Sequence, residues 1–108
     1  MIGYQADLSA DANGGYWGRL YDESRRARML GEDENRARML ERFKADGWNQ
    51  YEIRCEGPRI RLFVNGVCTT DYTERDASIP QQGLIALQIH GGGPSEAWYR
   101  NVTIAELP

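Results

Sequence analysis

The stretch NQYEIRCEGPRIRLFVNGVCTTDY, residues 49–72, constrains the fold more than any other part of the chain, because it holds two turn signals at hairpin spacing. In Asn65-Gly66 both residues tolerate the positive φ that the centre of a type I′ turn requires, and the twist of that turn suits a two-residue hairpin. Gly57-Pro58 suits a type II′ turn, with glycine supplying positive φ and proline a fixed negative one. Three antiparallel strands follow, and their register follows with them. Glu56 pairs with Arg59 and Cys55 with Ile60, while Val64 pairs with Val67 and Phe63 with Cys68. One face is then expected to carry Ile53, Cys55, Ile60, Leu62, Val64, Val67 and Thr69. The other carries Glu52, Arg54, Arg59, Arg61, Phe63, Cys68 and Thr70. The two cysteines fall on opposite faces of strands that are not neighbours. No disulfide between them is expected, and both read as small packing residues.

Three further stretches alternate as strands do. Residues 2–8 are one. In GLIALQIHGG, residues 83–90 place Ile85, Leu87 and Ile89 on one side and Leu84, Ala86, Gln88 and His90 on the other; in 98–106, Trp98, Arg100, Val102 and Ile104 alternate with Tyr99, Asn101, Thr103 and Ala105. Between the early and the central strands, EDENRARMLERFKADG (32–47) has Ala37, Leu40 and Phe43 at helical spacing, acidic residues first, basic ones later, and Gly47 as a stop. This predicts one amphipathic helix. RARML occurs at 26–30 and again at 36–40, too short and too few to be a solenoid repeat, so chance or a local duplication accounts for it. Five or six short strands at close spacing argue for an all-β chain folded as a β-sandwich.

With 108 residues, 41% of them apolar, the chain holds one small domain with a thin core. A net charge of −3 with scattered basic residues makes nucleic acid and anionic membrane poor partners. No apolar run approaches the ~20 residues of a membrane-spanning helix. The first residues, MIGYQADLSADANG, lack the basic start and apolar stretch of a secretory signal.

GYQADL, YWGRLYDESRR, GWNQYEIRCEGPRIRLFVNGV, DYT, GLIALQIHGG and YRNVTIAEL occur in the order and rough spacing of the 3-keto-disaccharide hydrolase domain family. Formerly a domain of unknown function, that family has the concanavalin A-like jelly roll of lectins and glucanases. The resemblance runs over nearly the whole chain, but the family domain is roughly twice as large, and the part preceding the YQ strand has no counterpart here. The chain therefore resembles the C-terminal half. The resemblance implies a single domain over 1–108, a partial jelly-roll β-sandwich of concanavalin A-like type with one short helical insertion. Half a jelly roll leaves unpaired edges and an uncovered apolar face, which invite association. A truncated gene model, a second chain completing the sandwich, and a dimer completing itself would each account for it, and truncation is the expectation. Family members often pass through an export pathway, so a periplasmic or extracellular location is implied.

The substrate class implied by the resemblance is a 3-keto-disaccharide or 3-keto-glycoside. A ketone at C3 acidifies the hydrogen on C2. A base could remove that hydrogen, the C1 oxygen could leave from the enolate, and water could then add back, giving net hydrolysis. Such a route needs a base active near neutral pH, stabilisation of the enolate oxygen, and polar groups for sugar hydroxyls. His90, the sole histidine, has the right intrinsic pKa range and is the first candidate for base or metal ligand. Gln88 shares its face, and Gly91, Gly92 and Gly93 allow close backbone approach; the bland alternative is the solvated end of a strand. Gln5 and Asp7 share a face of the first strand, and YDESRR offers Glu23, Arg25 and Arg26. Asp7 or Glu23 could orient the histidine or bind a metal, and Arg25 could stabilise an oxyanion or hold substrate. Arg26 reads as ordinary surface charge. One histidine with scattered carboxylates has no diagnostic ligand spacing, so a divalent metal ion is admissible without being indicated.

Tyr16, Trp17, Trp48 and Trp98 could stack on sugar rings or fill the core. Trp48, next to Asn49 in DGWN, is the best candidate for a binding edge. A conventional glycosidase would recruit a carboxylate pair such as Asp7 and Glu23. The alternative from another class is a non-catalytic, lectin-like carbohydrate-binding module, since this sandwich serves both uses.

Overall fold

The computed structural model describes residues 2–8, 15–88 and 98–107. Among these, strands β1 (Gly3–Ala6), β2 (Leu20–Glu23) and β3 (Met29–Leu30) form one antiparallel sheet, and β4 (Tyr51–Glu56), β5 (Arg59–Val64) and β6 (Val67–Thr73) form another. One helix, α1 (Arg36–Arg42), lies between β3 and β4 in the chain. The chain is all-β with a single short helical insertion, a partial β-sandwich.

Turn chemistry carries the second sheet as expected. Glu56 pairs with Arg59, Cys55 with Ile60, Val64 with Val67 and Phe63 with Cys68. Gly57 has φ +57°, and Asn65 and Gly66 have φ +49° and +81°, the positive values that the two turns demand. Simple alternation fails at one place. The register shifts between Leu62 and Phe63, so Leu62 pairs with Thr70 while Phe63 pairs with Cys68, and Thr69 is the extra residue of a bulge. Thr69 and Thr70, expected on opposite faces, are therefore both fully buried. Their hydroxyls both donate to the Gly18 carbonyl, at 2.9 and 2.5 Å.

The two sheets meet through Leu20 and Leu30 on one side and Ile60 and Leu62 on the other, with Tyr4, Ala6, Tyr51 and Tyr72 packed around them. Each such buried aliphatic side chain contributes roughly 1.5–3 kcal/mol. A second cluster joins Met39 to Val64 and Val67, with Trp17, Phe43 and Tyr51 against it. The helix thus turns Met39 and Phe43, four residues apart, towards the sheet, whereas Ala37 and Leu40 of the expected face are exposed. The reason is the anchor of its first turn. The Glu34 N–H donates to the Thr69 carbonyl (3.0 Å) and the Asn35 side chain to the Cys68 carbonyl (2.8 Å), which sets the rotation of α1 over β6. The acidic residues 32–34 precede the helix rather than forming its first turn.

Three expectations are corrected. The strand expected at 2–8 forms as β1, but 83–88 and 98–107 belong to no strand, and the expected continuation through Ile89 and His90 lies outside the described residues. Ile85 and Leu87, on the side expected to be buried, are exposed, as are Leu84 on the other side and Trp98, Val102 and Ile104. Alternation makes a stretch fit to join a sheet, but a strand exists only against a neighbour, and these stretches have none among the described residues. Cys55 is the third correction. Both cysteines are free, as expected, yet Cys55 is exposed rather than packed, because β4 is the outermost strand of its sheet. No helix among the described residues is long and apolar enough to cross a membrane.

Candidate functional site

Strand β1 presents its two faces to different environments. Tyr4 and Ala6 pack on the core, so Gln5 points to the opposite side, the outer face of the first sheet. Pairing extends that face across the sheet: Gln5 lies opposite Tyr21 and Gly3 opposite Glu23, and Leu20 and Asp22 between them are buried. Gln5 Nε2 donates to Asp7 Oδ1, so the amide and the carboxylate expected to share a face are in contact. Asp7 is held from behind as well. Its N–H donates to the Arg19 carbonyl (2.9 Å), and its own carbonyl accepts from Gly18 N–H (3.2 Å) and from the Tyr51 hydroxyl (2.9 Å) of the other sheet. Glu23 accepts from Ser24 Oγ at 3.1 Å. Gln5 and Glu23, both half-buried, thus share the outer face of the sheet with Tyr21, and Asp7, itself buried, closes the end of that face.

Arg25 does not join them. With Arg26 it belongs to a cluster on the core side, built by the tight β2–β3 loop, in which Ser24 and Ala27 take φ +54° and +52°. Arg25 Nε donates to both oxygens of the fully buried Asp22 (2.8 and 3.1 Å), and its guanidinium lies 4.9 Å from the centre of the Tyr4 ring. Arg26 Nε and N–H also donate to Asp22 Oδ2, while its Nη2 and Nη1 reach Glu74 Oε1 and Oε2 beyond β6 at 2.6 and 3.1 Å. The Tyr4 hydroxyl donates to the same Glu74 Oε1 at 2.6 Å. Reading Arg26 as ordinary surface charge is therefore overturned: it is the bridge between two buried carboxylates, one on β2 and one just beyond β6.

The electrostatics follow from that geometry. The hydrogen bond from Arg26, against the opposing effect of burial, lowers the Glu74 carboxyl to about 2. Burial alone would raise Asp22, but hydrogen bonds from Arg25 and Arg26 prevail and hold it below the usual aspartate range. Burial, then the Glu74 carboxylate, pushes the Tyr4 phenol up to about 12. Both carboxylates are thus ionised and both arginines engaged. The cluster is a rigid clamp, suited to holding the β2–β3 hairpin and the polar face above it rather than to exchanging protons near neutral pH.

The remaining expected residues lie apart from these. Asn49 is engaged in local structure: it donates to the Lys44 carbonyl and accepts from Lys44 N–H, both at 2.8 Å, and accepts from Asn65 Nδ2 at 2.9 Å. Trp48 is partly exposed, with the Arg100 guanidinium 4.1 Å from the centre of its ring. Of the other aromatic candidates, Trp17 is packed, stacked on Tyr51 and edge-on to Phe43, while Tyr16 and Trp98 are exposed. The Gln88 side chain is half-buried and its carbonyl accepts from the Tyr99 hydroxyl at 3.3 Å. His90 lies outside the described residues. Among the described residues no three histidine, cysteine, aspartate or glutamate side chains converge as a metal-holding group. Asp22, Glu74 and Tyr4 are the residues sequence reasoning missed. The one available signal was Asp22 standing three and four residues before Arg25 and Arg26, the spacing at which side chains meet in a tight turn.

The chain matches one domain family over nearly its whole length. Residues 1–105 match the model of the 3-keto-alpha-glucoside-1,2-lyase-like domain, the 3-keto-disaccharide hydrolase family. The chain belongs to this family. Its fold is concanavalin A-like, which the two facing antiparallel sheets represent in part. No curated protein and no solved structure matches the chain.

Proposed function

We propose that the chain cleaves the glycosidic bond of a 3-keto-glycoside, using the outer face of the first sheet. The observation that carries this reading is the family match over residues 1–105, whose description names an eliminating chemistry on a 3-keto glucoside. A base takes the C2 hydrogen, acidified by the C3 ketone, and the electron pair forms the enolate. Its collapse to a C1–C2 double bond expels the C1 oxygen, which leaves with a proton as the free alcohol. Addition of water at C1 and return of a proton to C2 complete hydrolysis. His90 is the proposed base on its intrinsic pKa range. Asp7, buried against Gln5, is the proposed orienting carboxylate, and Gln5 and Glu23 hold sugar hydroxyls on the outer sheet face. Arg25 and Arg26 act at one remove, by clamping the β2–β3 hairpin through Asp22.

The test is an assay with a nitrophenyl 3-keto-α-glucoside and its unoxidised counterpart in heavy water. Expected are turnover of the keto compound alone, deuterium at C2 of the product beyond a no-enzyme control, and at least ~100-fold slower turnover in His90→Ala. Cleavage of the unoxidised glucoside would replace this reading with a conventional carboxylate-pair glycosidase. Saturable sugar binding without turnover would replace it with a lectin-like module.

A further inference from the structure

Strand β4 is the outermost strand of its sheet among the described residues, and every residue in it after Tyr51 is exposed. Ile53 is 57% exposed although it lies opposite Leu62, which is fully buried. The core face of this sheet therefore ends in an apolar side chain with water beyond it. The backbone polarity of the edge can be read from one bond. Asn65 N–H donates to the Gln50 carbonyl at 2.8 Å, so Gln50 and, by alternation, Glu52, Arg54 and Glu56 turn their backbone groups towards β5. Tyr51, Ile53 and Cys55 turn theirs outwards.

We propose that this edge is a dimer interface, on which β4 of a second copy adds antiparallel about a two-fold axis at Ile53. The strand is self-complementary in that register. Ile53 meets Ile53 of the partner subunit, Tyr51 meets the partner's Cys55, and each outward N–H and carbonyl from Tyr51 to Cys55 finds a partner. On the opposite face Glu52 stands across from the partner's Arg54, and by symmetry Arg54 from the partner's Glu52. Arg54 donates Nε to Glu56 at 2.9 Å and remains 45% exposed, so its other donors can turn to the second copy.

Other registers are worse. An axis at Arg54 sets Arg54 against its own copy and Glu52 against Glu56, and an axis at Glu52 sets that carboxylate against itself. An axis at Cys55 keeps an arginine–glutamate match but shortens the overlap against the Gly57-Pro58 turn. Alternating charge along YEIRCE thus selects both the partner, a second copy of this chain, and the register.

Sedimentation of the 108-residue chain across micromolar to sub-millimolar concentrations, with circular dichroism to verify folding of each variant, tests the proposal. Expected is a monomer–dimer equilibrium weakened about tenfold or more by Glu52→Arg or Arg54→Glu alone, since each sets like charges face to face at both symmetric positions. The double reversal, which restores unlike pairs, should recover most of the loss. In hydrogen exchange, amide protection at Ile53 and Cys55 should rise with concentration. A monomer at every concentration, a dimer indifferent to the single reversals, or protection of these amides independent of concentration would overturn the proposal, the last meaning that another segment of the same chain covers the edge.

Discussion

At the residue scale the decisive group is Arg26, which ties Asp22 on β2 to Glu74 beyond β6 and so binds one sheet to the other. Its contribution should be visible in acid. The folded-state pKa of Glu74 lies below its unfolded value, from 4.5 to about 2, and Asp22 is shifted in the same direction. Below pH ~5 the unfolded chain therefore binds more protons, and stability that is fully present above that pH is lost as pH falls towards 2. Urea denaturation over pH 2–7 should show this decline. In Arg26→Met the decline should be shallower, with neutral-pH stability lower by ~3–5 kcal/mol, because two buried carboxylates lose their shared counter-charge. An unchanged pH slope in the variant would mean that Arg26 does not set these pKa values. Little of this was legible beforehand. The sequence shows two carboxylates and three arginines between Tyr21 and Glu32, but only the pairing of Tyr4 with Asp22 says which carboxylate faces inwards.

At the scale of elements, RARML makes the same point with identical residues. At 26–30 it runs out of a loop into β3, and at 36–40 it makes up most of α1. In the first copy Leu30 pairs opposite Leu20 in the core; in the second the buried residue is Met39, packed on Val64 and Val67. Local propensity does not separate the copies, and the surface available to each does. Where backbone geometry is locally dictated, sequence reading succeeds, and the glycines show the limit. Gly57→Ala meets open space and positive φ alone, at a cost of ~1 kcal/mol. Gly18→Ala combines φ +80° with overlap onto the buried Thr69 side chain, and about 3 kcal/mol or more is expected. Thermal melts of the two variants compare them directly; equal losses would mean that β6 yields around Thr69. Nothing in the sequence distinguishes Gly18 from the other glycines, because its neighbour is 51 positions away.

At the scale of the whole molecule, the core is the seam between the sheets, and the apolar stretches near the C-terminus lie outside it. Leu62→Ala should cost ~2–5 kcal/mol, while Ile85→Ser, at a residue 80% exposed, should change unfolding free energy by less than ~0.5 kcal/mol. A large loss for Ile85→Ser would mean that 83–88 is docked in solution. By itself the sequence determined the family, the all-β class, the register of β4 against β5 and the first pairs of β5 with β6, because the turns Gly57-Pro58 and Asn65-Gly66 specify their φ values within two residues and a two-residue loop leaves no choice for the pairs beside it. It also placed Gln5 and Asp7 together, since residues two apart on a strand share a face. Only the tertiary structure decided the strand at Leu20–Glu23, where a buried Asp22 hides the apolar alternation, the bulge that buries both Thr69 and Thr70, and the passage of Arg25 and Arg26 to the core side. Each of these depends on which strand lies alongside or which charge lies opposite, a property of distant pairs of residues that no local pattern encodes.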